Sequence, residues 1–172
     1  RSEDYFLRES VTDIEWHTEA IAHHANPDEP LILIRDPQHS AFEGATQIFV
    51  RMRAHNHAFA AVVTLLDQLN LNIQDARLYS SSGGFTNDTY FVLNENLEPI
   101  GNDNERRTQI WQTLHDELAH NIDNFPSIAQ RRTARELKHF TMPTRTSMAN
   151  DIRSGTTMLE VISPDRPGLL AR

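Results

Sequence analysis

The feature that most constrains the fold is a helical apolar stripe with segments of strand type on both sides of it. Phe59, Val62, Val63, Leu66 and Leu69 recur at spacings of three and four residues, which places them on one face of an amphipathic helix. The neighbouring segments show the short apolar runs or the alternation of β-strands. Because such a helix must bury its apolar face against another element, the pattern predicts an α+β domain.

The order of the predicted elements narrows the architecture. Between Leu71 and Ser80 the apolar residues change phase, which predicts a β-bulge near Asp75. Without a first helix over 12–24, the core is a βαββαβ unit preceded by one extra strand. We therefore expect a ferredoxin-like antiparallel sheet with two helices on one face. The predicted strands cover 31–34, 47–52, 71–80, 87–93, 137–142 with 144–148, and 156–162, and the other helices cover 59–69 and 103–124.

Two of the helices have a predicted buried face. In the first helix, Ser10 and Asp13 have the spacing of a capping box, although Glu or Gln is commoner at the second position. Its apolar surface would come from Ile14, Trp16, Ile21 and Ala22. The long helix over 103–124 would bury Ile110, Trp111, Leu114, Leu118 and Ile122 before Phe125-Pro126 ends it.

Composition excludes several classes of protein. The 172 residues carry a formal net charge of -8 and contain no cysteine. An acidic chain repels a phosphate backbone, so no nucleic-acid partner is expected. Without thiols the chain can form neither disulfides nor thiolate metal sites, which fits the reducing cytoplasm where we expect the protein. No apolar run approaches the ~20 residues of a membrane span, so no membrane partner is expected either.

A run near the last residue resembles the opening of a regulatory module. Residues 157–171 read TMLEVISPDRPGLLA, an apolar strand followed by Asp-Arg-Pro-Gly and by helix formers. This run resembles the start of an ACT domain, a small ferredoxin-like module that senses small molecules. The chain begins at Arg1 and stops where a helix should begin, so we expect it to be a piece of a longer protein.

Earlier segments carry a more distinctive resemblance that covers nearly the whole chain. They resemble the linker and the first of two tandem ACT domains in the bacterial PII uridylyltransferase/uridylyl-removing enzyme family. The resemblance implies a linker helix over 1–29, a first ACT domain over 30–148, and the first strand and loop of a truncated second ACT domain over 149–172. The segments are YFLR at 5–8, WHT at 16–18, GATQIFV at 44–50, FAA at 59–61, LDQLNLNIQDAR at 66–77 and LKHF at 137–140.

The same resemblance implies a function. In that family a nucleotidyltransferase domain adds UMP to the PII signalling protein, an HD domain removes it, and the ACT pair senses glutamine and decides which activity prevails. Both catalytic domains would precede Arg1, so this region would be non-catalytic and would hold no cofactor. The parent enzyme would need Mg²⁺ and UTP. Glutamine is then the expected allosteric ligand, and PII is the expected partner of the complete enzyme.

Asp165, Pro167 and Gly168 form the first candidate ligand loop. A strand that opens into a helix here places unpaired backbone N–H groups at the positive end of the helix dipole, where an α-carboxylate can bind. Gly168 allows close approach of the backbone, and Asp165 could accept hydrogen bonds from the ammonium or amide of the ligand. The alternative is that Pro167-Gly168 only starts a helix and Asp165 caps it.

The corresponding loop of the first ACT domain reads Ala54-His55-Asn56-His57 and lacks both the acidic residue and the proline. Asn56 could still cap the following helix, and backbone N–H groups could still meet a carboxylate. His55, Asn56 and His57 are therefore further candidate ligand residues, although the missing carboxylate argues against glutamine binding at this loop.

Other functional patterns have little support. His115 and His120 are five residues apart rather than the four of a helical metal pair, so no metal site is expected. The basic cluster over 131–138 reads as a solvated connection or an intramolecular contact. The competing hypothesis is an ACT-type interaction or dimerisation module without a small-molecule ligand. A dimer could form through the strand over 156–162, whose edge should pair with the first sheet or with another chain.

Overall fold

Four helices and six strands make up the described part of the chain. The computed structural model describes residues 3–37, 44–81, 83–120, 143–151 and 156–164. In this part of the chain every predicted helix and strand forms, and α1 is an additional helix that we did not predict. The elements are α1 (Glu3–Arg8), α2 (Val11–His23), β1 (Leu31–Arg35), β2 (Thr46–Arg53), α3 (Ala58–Gln68), β3 (Asn72–Ser80), β4 (Phe85–Leu93), α4 (Asn104–His120), β5 (Arg145–Asp151) and β6 (Thr156–Ile162).

The first four strands form one antiparallel sheet in the order β1-β2-β4-β3. The register between β3 and β4 shifts between Ile73 and Asp75, so the predicted bulge is confirmed. The extra residue of β3 at this bulge allows residues on both sides of it to face the core. Ile73 and Ala76 are three positions apart, yet both pack against the same apolar core. In a regular strand, residues three apart point to opposite faces of the sheet.

The sheet departs from the predicted βαββαβ order at one edge. In such a unit the last strand lies beside the first, but here β1 lies beside β2. The strand expected to end the unit, β5, instead pairs with β6 in a separate two-stranded sheet. Consecutive strands commonly pair, and β1, which immediately precedes β2 in the chain, takes the edge that the predicted unit leaves to its last strand. The other predicted pieces of this region, Ile122, Phe125-Pro126 and 137–142, lie outside the described residues.

The strand over 156–162 does not join the first sheet, so that part of the prediction was wrong, and pairing with another chain stays a prediction. The strand forms as β6 and pairs with β5 within the chain. The two strands lie antiparallel, with Met148 opposite Leu159. The predicted domain boundary between 148 and 149 falls inside β5.

An apolar core lies between one face of the sheet and helices α3 and α4. Leu66 of α3 and Leu114 of α4 are fully buried together with Ile48 of β2, and burial of such side chains is the main force that holds the layers together. Trp111, predicted on the buried face of α4, is 41% exposed. Its indole N–H donates to the Ile32 carbonyl at 3.2 Å, so the ring lies against the edge strand β1 instead of in the core.

Helices α1 and α2 cover the opposite face of the sheet. The His17 ring of α2 stacks on Phe49 of β2 with 3.9 Å between ring centroids, and Tyr5 of α1 meets Tyr79 of β3 at 5.2 Å. The sheet therefore has helices on both faces, whereas the sequence predicted helices on one face and a single linker helix. No helix in the described residues is long and apolar enough to cross a bilayer.

The core makes a stability prediction. We expect Leu66→Ala to lower the free energy of unfolding by about 2–5 kcal/mol, because the removed atoms leave a cavity that close packing cannot fill. Leu78→Ala is the matched control, since Leu78 is 47% exposed, and its loss should stay below about 1 kcal/mol. Urea denaturation of both variants measures the difference. Equal losses would contradict this assignment of the core.

Candidate functional site

The loop between β2 and α3 contains three of the predicted ligand residues. The first residue of the loop, Ala54, is hydrogen-bonded to the turn between β3 and β4, since its N–H donates to the Gly84 carbonyl at 2.9 Å. The His57 N–H then donates to Nδ1 of His55 at 3.2 Å, and the two imidazole rings lie 5.7 Å apart between centroids. The structure thus brings His55, Asn56 and His57 together directly before α3.

The N-terminus of α3 has the features of an anion site. The N-cap is His57, whose side chain makes no capping hydrogen bond, so the expected capping role of Asn56 was wrong. The first turn of α3 contains no acidic residue. Neither the N-cap side chain nor the first turn of α3 therefore supplies a negative charge at the positive end of its dipole, where a carboxylate is favoured. Asp165, Pro167 and Gly168, the other predicted ligand residues, lie outside the described residues.

Behind the loop, β4 places one carboxyl group on the core side of the sheet. Asp88 lies opposite Val50 in the strand register and is buried, two positions before the core residue Tyr90. Burial disfavours the charged form and raises the pKa of Asp88 to about 7, although a backbone hydrogen bond at Tyr79 opposes this shift. Near neutral pH this carboxyl group therefore changes charge inside the fold.

A second polar feature joins α1 and α2 to the sheet. Glu9, Asp13 and His17 recur every four residues and are all buried. Their partners come from three strands of the sheet. We call this set the polar seam, and its members are Glu9, Asp13 and His17 on the helical side and Arg35, Gln47, Phe49 and Arg77 on the sheet side.

Asp13 is the most connected member of the polar seam. Its carboxylate pairs with Arg35 of β1 and accepts hydrogen bonds from Gln47 Nε2 of β2 at 2.9 Å and from Ser10 Oγ at 2.6 Å. Burial by itself would raise the pKa of Asp13, but the Ser10 and Gln47 hydrogen bonds and the charge of Arg35 outweigh it and lower that pKa. Ser10 Oγ also accepts from the Asp13 N–H at 3.1 Å, which confirms the predicted N-cap of α2.

Glu9 behaves differently from Asp13. Its side chain is completely buried and accepts a hydrogen bond from Arg77 of β3 at 2.9 Å. Here the cost of burial exceeds the attraction of Arg77, so the pKa of Glu9 is raised. Arg77 is itself held in place, because its guanidinium also pairs with Asp75 at 3.3 Å and lies 5.1 Å from the centroid of the Phe91 ring.

His17 completes the polar seam. It is fully buried, and its Nδ1 lies 2.8 Å from the hydroxyl oxygen of Tyr5 in a hydrogen bond. Its ring is nearly parallel to Phe49, with an angle of 17° between the planes. Beside it, Arg35 stacks over the Trp16 ring at 3.9 Å, so one arginine contacts two successive turns of α2.

Sequence reasoning missed the polar seam. The apolar residues Ile14, Trp16 and Ile21 were expected to form the buried face of α2, but they are only half-buried and Ala22 is exposed. The fully buried residues of α2 are Asp13 and His17. No local signal marked them, because polar residues one helical turn apart are also typical of a solvated helix face.

The other histidines that the structure describes make local contacts. His115 stacks on Trp111 at 4.7 Å, and His120 Nδ1 lies 2.9 Å from the Asp116 carbonyl oxygen one turn earlier. Within the described residues no group of three His, Cys, Asp or Glu side chains could hold a metal ion. The basic cluster over 131–138 lies outside these residues.

Comparison with known proteins relates this chain to one kind of enzyme. It is 48% identical over 170 residues to the bifunctional uridylyltransferase/uridylyl-removing enzyme of Stutzerimonas stutzeri, 46% to that of Pseudomonas aeruginosa and 47% to that of Azotobacter vinelandii. The chain matches a region of these enzymes. The match covers 99% of the chain and 19% of each relative, so the resemblance predicted from the motifs is confirmed for this region.

No protein-family model matches the chain, and no solved structure does. The similarity to the uridylyltransferase/uridylyl-removing enzymes therefore rests on sequence identity spread along almost the whole chain.

The polar seam predicts a large effect of removing one partner. We expect Arg77→Met to lower the free energy of unfolding by about 3–5 kcal/mol at neutral pH, because Glu9 stays buried without its cation. The loss should shrink on acidification, since the raised pKa of Glu9 lets it take up a proton and become neutral. Arg53→Met is the control, because the Arg53–Asp28 pair is exposed and should contribute below about 1 kcal/mol. A loss independent of pH would contradict this electrostatic explanation.

Asp88 predicts a pH dependence of stability with a definite sign. The pKa of Asp88 is higher in the folded protein than in the unfolded one, so protonated Asp88 stabilises the fold. This contribution is complete below the unfolded pKa of about 3.9 and is lost as the pH rises through about 7. Between about pH 4 and pH 8 the free energy of unfolding of the wild-type protein should fall by about 2–4 kcal/mol, and that of Asp88→Asn should not show this fall. Glu95→Gln, which removes an exposed carboxylate, is the control. Parallel profiles for the native protein and Asp88→Asn in urea denaturation would disprove the assignment.

Proposed function

We propose that this chain is the glutamine-sensing regulatory region of a uridylyltransferase/uridylyl-removing enzyme. The region itself is non-catalytic, and it controls the addition and removal of UMP on the PII nitrogen-signalling protein. The observation that carries the proposal is the identity of 46–48% to such enzymes along 99% of the chain. The chain spans only 19% of the length of these enzymes, so it corresponds to one region of a larger enzyme. We propose that this enzyme acts in the cytoplasm.

The chemistry of the described loop supports a ligand with a carboxylate. The N-cap residue of α3, His57, makes no capping hydrogen bond with its own side chain, and His55, Asn56 and His57 offer hydrogen-bonding groups around the helix end. Glutamine has an α-carboxylate that suits the helix end, while its ammonium and amide groups need acceptors. The loop at 54–57 has no carboxylate of its own, whereas the second loop carries Asp165. We therefore place the stronger glutamine contacts at Asp165, Pro167 and Gly168.

The β5–β6 pair supports a second, similar unit after the first. In both places two consecutive antiparallel strands precede a candidate ligand loop: β1–β2 before 54–57 and β5–β6 before 165–168. The register positions also correspond. Six residues before the candidate loop of the first pair, Ile48 lies opposite Ile34. Six residues before the candidate loop of the second pair, Leu159 lies opposite Met148. The first pair packs this face against α3 and α4, so we propose that β5 and β6 together open the second ACT domain.

The Mg²⁺ and UTP expected for the parent enzyme belong to its catalytic parts. Within the described residues no three histidine or carboxylate side chains could hold a metal ion. The role that we propose for this region is to bind glutamine and to transmit the ligand state, while the chemistry on PII takes place elsewhere in the enzyme.

One observation favours a second candidate function, an interaction or dimerisation module without a small-molecule ligand. Met148, Leu159 and Val161 lie on one face of the β5–β6 pair and are 56–71% exposed. An isolated pair of strands with such a face is only marginally stable and needs a covering surface. In this alternative, a second copy of the chain would supply that surface.

Calorimetry with glutamine tests the proposal on a complete enzyme that contains this region. We expect saturable heat at millimolar glutamine or below, and a loss of affinity of at least tenfold in Asp165→Ala, because the ligand ammonium loses its acceptor. Activity without glutamine should not change in this variant. Asp116→Ala, at an exposed position on α4, is the control and should bind glutamine normally.

Two results would decide against glutamine sensing. Absence of both heat and a shift in melting temperature at millimolar glutamine would exclude it. If Met148→Asp then abolished a concentration-dependent dimer, the interaction module would be the correct function. Normal glutamine affinity in Asp165→Ala would instead show that another group accepts the ligand ammonium.

A further inference from the structure

The contact between α2 and the sheet is built in an unusual way. A helix that only has to stay attached would bury apolar side chains, yet the fully buried residues of α2 are Asp13 and His17. The neighbouring apolar residues Ile14 and Trp16 are only half-buried. Buried ion pairs add little net stability, because the cost of removing charges from water offsets their attraction. The polar seam therefore has a role other than attachment strength.

Directional contacts make the position of α2 discrete. Asp13 accepts hydrogen bonds from Ser10, Gln47 and Arg35, and these bonds weaken steeply when donor and acceptor move apart or tilt. A small sliding movement would leave buried charges unpaired, which is costly. Complete separation would return the same charges to water. Such an interface favours two states, docked in register or separated, over a continuous range of positions.

The polar seam and the candidate ligand loop share one strand. Gln47 and Phe49 contact Asp13 and His17 from β2, and β2 leads directly into the loop at 54–57. From Gln47 to Arg53 the strand spans roughly 20 Å at about 3.3 Å per residue. The strand is hydrogen-bonded on both sides, so it behaves as a stiff element between the two places.

We infer that the polar seam couples the ligand state of this region to the position of α1 and α2, with Asp13 and Arg35 as its positioning residues. The inference rests on the proposed function, because it needs a ligand-dependent change to transmit. A ligand-dependent change at the loop over 54–57 shifts β2 by a small amount, the seam responds by keeping or losing its register, and α1–α2 carries the result to the rest of the enzyme.

The test uses two matched double variants of a complete enzyme that contains this region. Asp13→Asn/Arg35→Met removes both charges of the seam pair while the amide can still bond to Ser10 and Gln47. Asp36→Asn/Arg107→Met makes the same changes in an ion pair whose arginine is about as exposed as Arg35 and which joins Asp36 to α4 on the opposite face. In the first variant the effect of glutamine on UMP addition and removal should be at least fivefold smaller than in the wild-type enzyme, with glutamine affinity within twofold of the wild-type value. The control should keep the full effect.

Hydrogen exchange gives a readout that a purely structural role would not move. In the native enzyme, glutamine should change the protection of the α2 amides over 11–23, and in Asp13→Asn/Arg35→Met it should not. A full glutamine effect in this variant would overturn the inference, and so would an equal loss in both double variants. A native enzyme that neither binds nor responds to glutamine would overturn the proposed function, and the inference with it.

Discussion

The structure depends on the burial of strand β2 on both of its faces. It is hydrogen-bonded to β1 on one side and to β4 on the other, so the backbone of its central part is fully paired. Ile48 and Val50 enter the apolar core beneath α3 and α4, while Gln47 and Phe49 meet α2 on the opposite face. Every described helix therefore packs on a sheet whose second strand is enclosed from both sides, and the end of that strand holds the candidate ligand loop.

The two faces of the sheet use different chemistry for different purposes. The core side relies on apolar burial, which is non-directional and contributes most of the stability. The α1–α2 side relies on ion pairs, hydrogen bonds and ring stacking, which contribute less net energy and specify geometry more strictly. The opposite pKa shifts of Asp13 and Glu9 follow from this arrangement. Asp13 has enough donors to hold its charge when buried, whereas Glu9 does not.

Several features were predictable because they depend on local sequence. The α3 stripe, the bulge at Asp75 and the Ser10 cap of α2 all follow from spacing within a few residues, and the structure contains all three. The partner of β5 was not predictable in this way. A strand pattern shows that a segment can pair, but several edges compete for it, and β1 already occupied the one beside β2. The candidate loop at 54–57 was identified from the family resemblance, whereas the lack of a capping hydrogen bond from the His57 side chain is visible only in the tertiary structure.

The sequence by itself determined the kind and order of the elements, because helical and strand periodicities are properties of the chain alone. It also determined the relationship to the uridylyltransferase/uridylyl-removing enzymes over this region. Only the tertiary structure decided which side of α2 is buried. Polar residues every four positions look like a solvated helix face until arginines and a glutamine from three distant strand segments satisfy them. Burial of a charge depends on partners far away in the chain, and no local pattern contains that information.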